Sequence, residues 1–155
     1  MALAVIFGSL ALATPPTMSV CETARVAGQV DGKTVRIKGV WRQAFSGDGI
    51  FDELVDDKCP EVVIHVVATE SSLPTPPPAG YTVDVASARH AKRVAEKALA
   101  DGRNLSATIV GVLYVQKKED YVPARPLNRE VTIPAPHKWY PLTLLIESVP
   151  DLKER

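Results

Sequence analysis

Hydrophobic and polar residues alternate in several short segments of the chain, a pattern typical of β-strands with one buried face. The clearest segment covers residues 34–41, where Val35, Ile37, Gly39 and Trp41 share one face. The other face includes the basic residues Arg36, Lys38 and, just beyond, Arg42. A glycine inside a strand usually marks a bulge or a sharp bend. We therefore predict a coiled strand that serves two walls of a small barrel.

Four further segments bring the predicted number of strands to five. They lie at residues 50–55, 62–67, 105–115 and 142–149. The 62–67 run is β-branched except for His65, as expected of a strand covered on both faces. Another glycine, Gly111, falls inside the fourth strand. Between the third and fourth strands, Asp84 can cap a helix that runs to about residue 100 and stops at Gly102.

Flanking segments complete the predicted organisation. Ser19 followed by Glu22 has the spacing of a capping box and predicts a short helix that Gly28 ends. Proline-rich residues 73–80 and 117–141 are predicted to lack regular structure. The predicted units are a signal peptide at residues 1–13, an N-terminal segment with a short helix at 14–29, a barrel domain at 30–149 and a polar, frayed tail at 150–155.

The N-terminal residues 2–13 are uncharged and apolar and end in Ala-Leu-Ala, a small-x-small cleavage pattern. They resemble a signal peptide, although no basic residue precedes the apolar run. The run is shorter than the roughly 20 residues that a membrane-spanning helix needs. We therefore expect export to the periplasm or the exterior, with Thr14 as the mature N-terminus and no membrane span in the mature chain.

Cys21 and Cys59 are the two cysteines of the chain. In an exported domain a single pair of cysteines favours a disulfide bond, and the alternative is two buried free thiols. A zinc site on the pair would need histidines at ligand spacing, and the sequence has none. We predict a disulfide bond that fastens the N-terminal helix to the barrel.

Charge and motif content narrow the function classes. Lys plus Arg and Asp plus Glu both number 18, and such a balance argues against nucleic acid as a partner. No nucleophile motif accompanies His65, His90 or His137, and the acidic residues between 48 and 57 lack EF-hand spacing. We predict no cofactor, no metal and no catalytic residue. The alternative is a small hydrolase or metal-dependent enzyme that uses His65 or His137 with those acidic residues.

Three strands, a helix and two strands is the order of the OB-fold, a five-stranded Greek-key barrel, and another five-stranded barrel is the alternative. The predicted fold class is thus mainly β with one or two helices. More narrowly, the chain resembles small exported bacterial OB-fold-like proteins of unknown function. The resemblance rests on Cys21, on a Gly-Lys-x-Val-x-Ile-x-Gly pattern from Gly32 to Gly39, and on an Asp-x-x-Cys-Pro pattern from Asp56 to Pro60. It implies a fold and a disulfide bond and no catalytic residue.

OB-folds bind ligands through strands two and three and through the loops that join strands one to two and four to five. Aromatic and basic residues of this chain fall in those places and can stack on a base or a sugar. The candidate ligand-binding residues are Trp41, Arg42, Phe45, Tyr121, His137, Trp139 and Tyr140. The alternative is that Trp139 and Tyr140 fold back as a lid over the barrel.

These features together predict an exported, non-enzymatic binding or interaction module. Its ligand is not specified by any motif, and an envelope protein or a small molecule fits the composition. A purely structural envelope domain is the second alternative to a binding function.

Overall fold

The computed structural model describes residues 14–46, 49–68, 76–120 and 139–155, and the structural statements below concern those residues. The elements in chain order are β1 (Thr17–Ser19), α1 (Val20–Val30), β2 (Thr34–Ser46), β3 (Gly49–Val55), β4 (Val63–Val67), α2 (Val85–Ala100), β5 (Leu105–Val115), a 3-10 turn (Lys118–Asp120) and β6 (Leu142–Glu154). Strand β1 was not predicted, because three residues are too few to show an alternating pattern.

The sheet closes on itself. Its strand order is β2-β3-β4-β6-β5, and β5 pairs back onto β2. Strands β4 and β6 are parallel, while the other neighbouring pairs of the barrel are antiparallel. This closed five-stranded barrel with two helices confirms the OB-fold-like prediction. Strand β1 adds a short parallel strand to β2 beside β3.

Strand β2 serves two walls, as predicted. It pairs with β5 from Thr34 to Trp41 and with β3 from Val40 to Ser46. Gly39 lies where the two pairings meet, and a Cβ atom there would approach the Cγ atom of Leu54 to 2.8 Å. The absence of a side chain therefore lets β2 pass between the two walls.

Gly111 permits the closest approach in the barrel wall. A Cβ atom at this position would collide with the backbone carbonyl oxygen of Leu145 on β6. The β5–β6 register also shifts on either side of Val110. Any side chain at Gly111 would push apart two strands that pair over most of their length.

The prediction of a frayed tail at residues 150–155 is wrong, because β6 continues to Glu154. Ser148 pairs with Val110 and Asp151 pairs with Thr108, so two β6 residues bulge opposite one residue of β5. Pro150 lies in that bulge, where the missing N–H of a proline breaks no ladder bond. The sequence prediction stopped at this proline, but the strand resumes beyond it.

Helix α1 begins with the predicted capping box. The Ser19 hydroxyl accepts a hydrogen bond from the Glu22 N–H at 3.1 Å, and the Glu22 carboxylate accepts one from the Ser19 N–H at 2.7 Å. The helix runs through Gly28 to Val30 and does not end where predicted. Cys21 is bonded to Cys59, with 5.8 Å between their Cα atoms. The predicted disulfide bond is thus present and fastens α1 to the turn after β3.

The core fills the barrel and extends beneath both helices. Leu54, Ile64, Leu105, Ile109 and Leu144 are completely buried inside it. Helix α2 packs on the barrel through a stripe of alanines; the buried members are Ala91, Ala95 and Ala98. Within the described ranges, no helix is both long and apolar enough to cross a membrane.

Candidate ligand-binding surface

A row of polar side chains crosses the outer face of the barrel. Arg42, Glu53 and His65 are successive cross-strand partners on β2, β3 and β4. Directly opposed residues of antiparallel strands project from the same face, so these side chains are neighbours. Glu53 is completely buried, and its Oε2 atom accepts hydrogen bonds from Nε and Nη2 of Arg42 at 3.0 and 2.8 Å.

Tyr140 closes over this row. Its hydroxyl donates a hydrogen bond to Oε1 of Glu53 at 2.7 Å, and its ring stacks on the imidazole of His65 at a centroid distance of 4.6 Å. Burial, reinforced by the hydrogen bond to Glu53, raises the pKa of the Tyr140 hydroxyl, which therefore remains a donor. With only 3% of its surface exposed, Tyr140 stabilises the outer face as a lid over Glu53.

The same contacts limit what the row can do chemically. Burial lowers the pKa of His65, and the carboxylates of Asp52 and Glu53 oppose that shift. Both oxygens of Glu53 already accept hydrogen bonds, and Asp52 accepts one from the Trp41 indole at 3.1 Å. Across the described part of the chain, no group of three or more His, Cys, Asp or Glu side chains is arranged to hold a metal ion.

Trp139 precedes Tyr140 and faces different surroundings. Its side chain is half-buried, and its indole N–H is screened from solvent without an acceptor among the described residues. It lies at a groove of about 410 Å³. The groove is lined by Ala24, Glu61, Val62, Val63, Trp139, Tyr140, Pro141 and Leu142. The ring of Trp139 thus lies at an apolar groove, whereas its indole nitrogen is closed off from solvent.

The disulfide bond and the start of β6 position this groove. Ala24 lies one helical turn after Cys21, and Val62 lies three residues after Cys59, so the bond brings α1 beside the strand that follows. On the other side, Tyr140 is anchored on Glu53, which fixes the backbone next to Trp139. The groove walls are therefore held by a covalent bond and a buried hydrogen bond.

A second groove of about 660 Å³ adjoins the first. The two share Ala24, Glu61 and Val62. Arg25 and Lys58 line only the second groove. The combined surface therefore has an apolar end at Trp139 and a charged end beside the disulfide bond.

The structure separates the candidate residues predicted from sequence. Trp41 is a core residue, and Arg42 binds Glu53. Trp139 and Tyr140 line the groove. Phe45 lies in β2 opposite Ile50. Tyr121 and His137 are outside the described residues.

Sequence reasoning missed the rest of the groove wall, including Glu61, Val62 and Pro141. These residues belong to no aromatic or catalytic pattern. The available signal was the disulfide prediction, because a bond from Cys21 to Cys59 necessarily places the residues after Cys59 beside α1.

No protein-family model and no curated protein sequence matches this chain. Among solved structures, it is similar to a chain described as an aspartyl-tRNA synthetase from Leishmania major Friedlin, with 14% sequence identity and a TM-score of 0.45. The alignment covers 98% of this chain and 23% of that chain, so this chain spans less than a quarter of that protein. A likeness at this level supports no inference about function.

Proposed function

We propose that this protein is an exported, disulfide-stabilised binding module of the kind found among small exported bacterial OB-fold-like proteins, with its ligand site at the Trp139 groove. The observation that carries the proposal is the groove itself, where the half-buried ring of Trp139 meets a wall of apolar side chains. A ligand with an apolar or aromatic group would cover that ring and those side chains on binding.

Binding, rather than catalysis, is favoured by the neighbouring polar groups. The carboxylates of Asp52 and Glu53 are engaged by Trp41, Arg42 and Tyr140. A general base needs a lone pair that can reach a substrate proton, and these carboxylates are committed to the fold. The groove itself is walled mainly by apolar side chains, which suits recognition.

Export is supported by the apolar N-terminal sequence together with the disulfide bond, because such bonds persist in oxidising compartments. Intact mass of the protein isolated from its native host tests this part of the proposal. We expect a chain that begins at Thr14 and contains no free thiol. A cytoplasmic product that retains Met1 and has two reactive thiols would contradict export.

Ligand binding is tested by screening the purified protein against glycan, oligonucleotide and peptide arrays. Trp139→Ala should abolish the signal of the class that binds, because stacking on an aromatic side chain contributes about 1–3 kcal/mol. Val85→Ala is the matched control, since Val85 is an exposed hydrophobic residue on α2, and it should leave binding unchanged. Equal binding by wild type and Trp139→Ala would exclude the groove as the site.

A further inference from the structure

We propose that the outward face of α2 is a docking surface for membranes that carry anionic lipid headgroups. This surface is separate from the Trp139 groove, and the inference does not depend on the ligand site proposed above. It rests on a row of cations along the helix, which no described carboxylate neutralises, and on two exposed valines where the helix begins.

Three cations form one row on α2. Arg89, Arg93 and Lys97 are exposed and follow one another at intervals of four residues, which places them on the same side of the helix. Since a helix rises about 1.5 Å per residue, neighbouring members of the row lie about 6 Å apart along its axis. That spacing is shorter than the Debye length of about 8 Å at physiological ionic strength. The row therefore acts on an approaching surface as one patch of positive charge.

The surroundings of the row do not neutralise it. None of its three cations makes an ion pair with a residue that the structure describes, and the one carboxylate on the same face, Glu96, is paired with Lys92 at 3.7 Å. By contrast, Arg103 just beyond the helix is paired with both Asp101 and Glu154. Like charges four residues apart destabilise a helix, so the row does not serve the stability of α2. Its charge is available to an external anionic surface.

Exposed valines adjoin the row and identify its partner as a lipid surface. Val85 is the first residue of α2, four residues before Arg89, and 52% of its surface is exposed, while Val83 is 38% exposed. Among the described residues, Val115 is the one other large hydrophobic residue that is exposed. At a membrane, the cations meet headgroup phosphates and the valines enter the boundary with the acyl chains. A dissolved polyanion, such as an oligonucleotide or an acidic peptide, supplies the charge without that apolar layer.

The fold holds this face outward. Ala91, Ala95 and Ala98 bury the opposite side of α2 in the core. In the first turn, the Ser87 hydroxyl donates a hydrogen bond to the carbonyl oxygen of Val149 at 3.2 Å and accepts one from the Val149 N–H at 2.8 Å. The helix therefore presents the row and the valines as one fixed surface, and its apolar stripe stays on the barrel.

The test is flotation of the disulfide-bonded protein with lipid vesicles at physiological ionic strength. One preparation mixes phosphatidylcholine with anionic phosphatidylglycerol, and the other is phosphatidylcholine alone. Each Lys or Arg near an anionic surface favours binding about fivefold, so we expect the protein to bind the neutral vesicles about a hundredfold more weakly. Salt at about 1 M, which shortens the Debye length to about 3 Å, should release it from the anionic vesicles.

Variants of the protein assign the contacts. Replacing all three cations of the row with glutamine should weaken binding to anionic vesicles about a hundredfold. The urea midpoint of this variant should stay level or rise, because the like-charge contacts are removed. Val83→Ser combined with Val85→Ser should weaken binding about tenfold, through the loss of apolar area. Lys38→Gln is the matched control, since Lys38 is exposed on β2 and has no ion pair among the described residues, and it should change neither quantity.

Several results would overturn the inference. These are no preference for anionic vesicles, or full binding by the variant that lacks the three cations. Tighter binding to an oligonucleotide or a glutamate-rich peptide than to anionic vesicles would assign the row to a dissolved polyanion instead, as would full vesicle binding by the serine variant. Trp139→Ala should bind vesicles as wild type does, so a failure of this surface and a failure of the groove are read from different variants.

Discussion

Trp139 and Tyr140 are adjacent in sequence and have opposite surroundings in the structure. The Tyr140 hydroxyl is bonded to Glu53 and its ring covers His65, whereas the Trp139 indole has no acceptor among the described residues and lines a groove. A satisfied buried polar group stabilises one conformation, whereas an apolar groove beside an aromatic ring leaves room for a ligand. The contrast therefore divides this surface into a closed region around Glu53 and an open region at the groove.

Both regions depend on the wall formed by β5 and β6, and the largest effect is expected there. Gly111→Val would place a side chain against the Leu145 carbonyl, so we expect a loss of more than about 4 kcal/mol in the free energy of unfolding, or no folded protein. Urea unfolding measures the loss. Gly28→Ala is the matched control, because its added Cβ meets no atom within 4 Å on an exposed helix, and its midpoint should stay level or rise.

A wild-type midpoint for Gly111→Val would contradict the closed wall. A large loss in Gly28→Ala would show that the assay responds to any glycine replacement. Both urea midpoints are needed, because the open and the closed region are each built on strands that the β5–β6 wall holds in place.

The next largest effect should come from the disulfide bond, which supports only the open region. Replacing both Cys21 and Cys59 with alanine should lower the free energy of unfolding by about 4 kcal/mol, from the entropy of closing a loop with a sequence separation of 38. The variant should also lose ligand binding, since the bond holds Ala24 beside Val62. Full binding by a destabilised variant would show that the groove does not need α1.

In the closed region, Tyr140→Phe removes one hydroxyl and leaves the buried Glu53 oxygen without that donor. We expect a loss of about 1–3 kcal/mol, measured by urea unfolding. Tyr81→Phe is the control, because the Tyr81 hydroxyl donates to a backbone carbonyl of Ile146 at 2.8 Å, and its loss should be smaller. Equal losses in the two variants would mean that the charge of Glu53 adds nothing to the contact.

The smallest expected effect is a pH dependence of stability at His65. Burial lowers the pKa of this imidazole in the folded state, although Asp52 and Glu53 oppose the shift, so the unfolded chain binds the proton more readily. The stability that this lowered pKa contributes is fully present above the ordinary pKa of 6.5 and is lost as the pH falls below it. The urea concentration at the unfolding midpoint of the wild-type protein should therefore fall as the pH is lowered from about 7 to about 5.

His65→Phe keeps a ring against Tyr140 and has no titrating group, so its midpoint should change less over that range. His90→Gln, at an exposed position on α2, is the control and should follow wild type. The same slope in wild type and His65→Phe would assign the pH dependence to another group.

Much of the fold followed from local patterns. The alternation of Val35, Ile37 and Trp41 identified β2, and Ser19 with Glu22 identified the start of α1. The end of β6 was missed because Pro150 reads as a strand terminator, yet a bulge accommodates it. Such a bulge depends on the register of the partner strand, which a local pattern does not contain.

The candidate site was less predictable. Aromatic residues were grouped by the loops that hold them, but burial separates them: Trp41 lies in the core, and Tyr140 covers Glu53. The groove at Trp139 is formed by α1 and the residues after Cys59, which are far apart in sequence. Only the disulfide prediction linked these segments, and it did not specify which side chains would meet.

The most direct test of the central claim is to measure thermal stability and ligand binding on the same Trp139→Ala protein. Since Trp139 is half-buried at a groove, we expect a loss of no more than about 1 kcal/mol in the free energy of unfolding together with the loss of binding. A loss of about 3–5 kcal/mol, the range for truncating a buried tryptophan, with no ligand to lose would contradict the claim and make Trp139 part of the lid that Tyr140 forms.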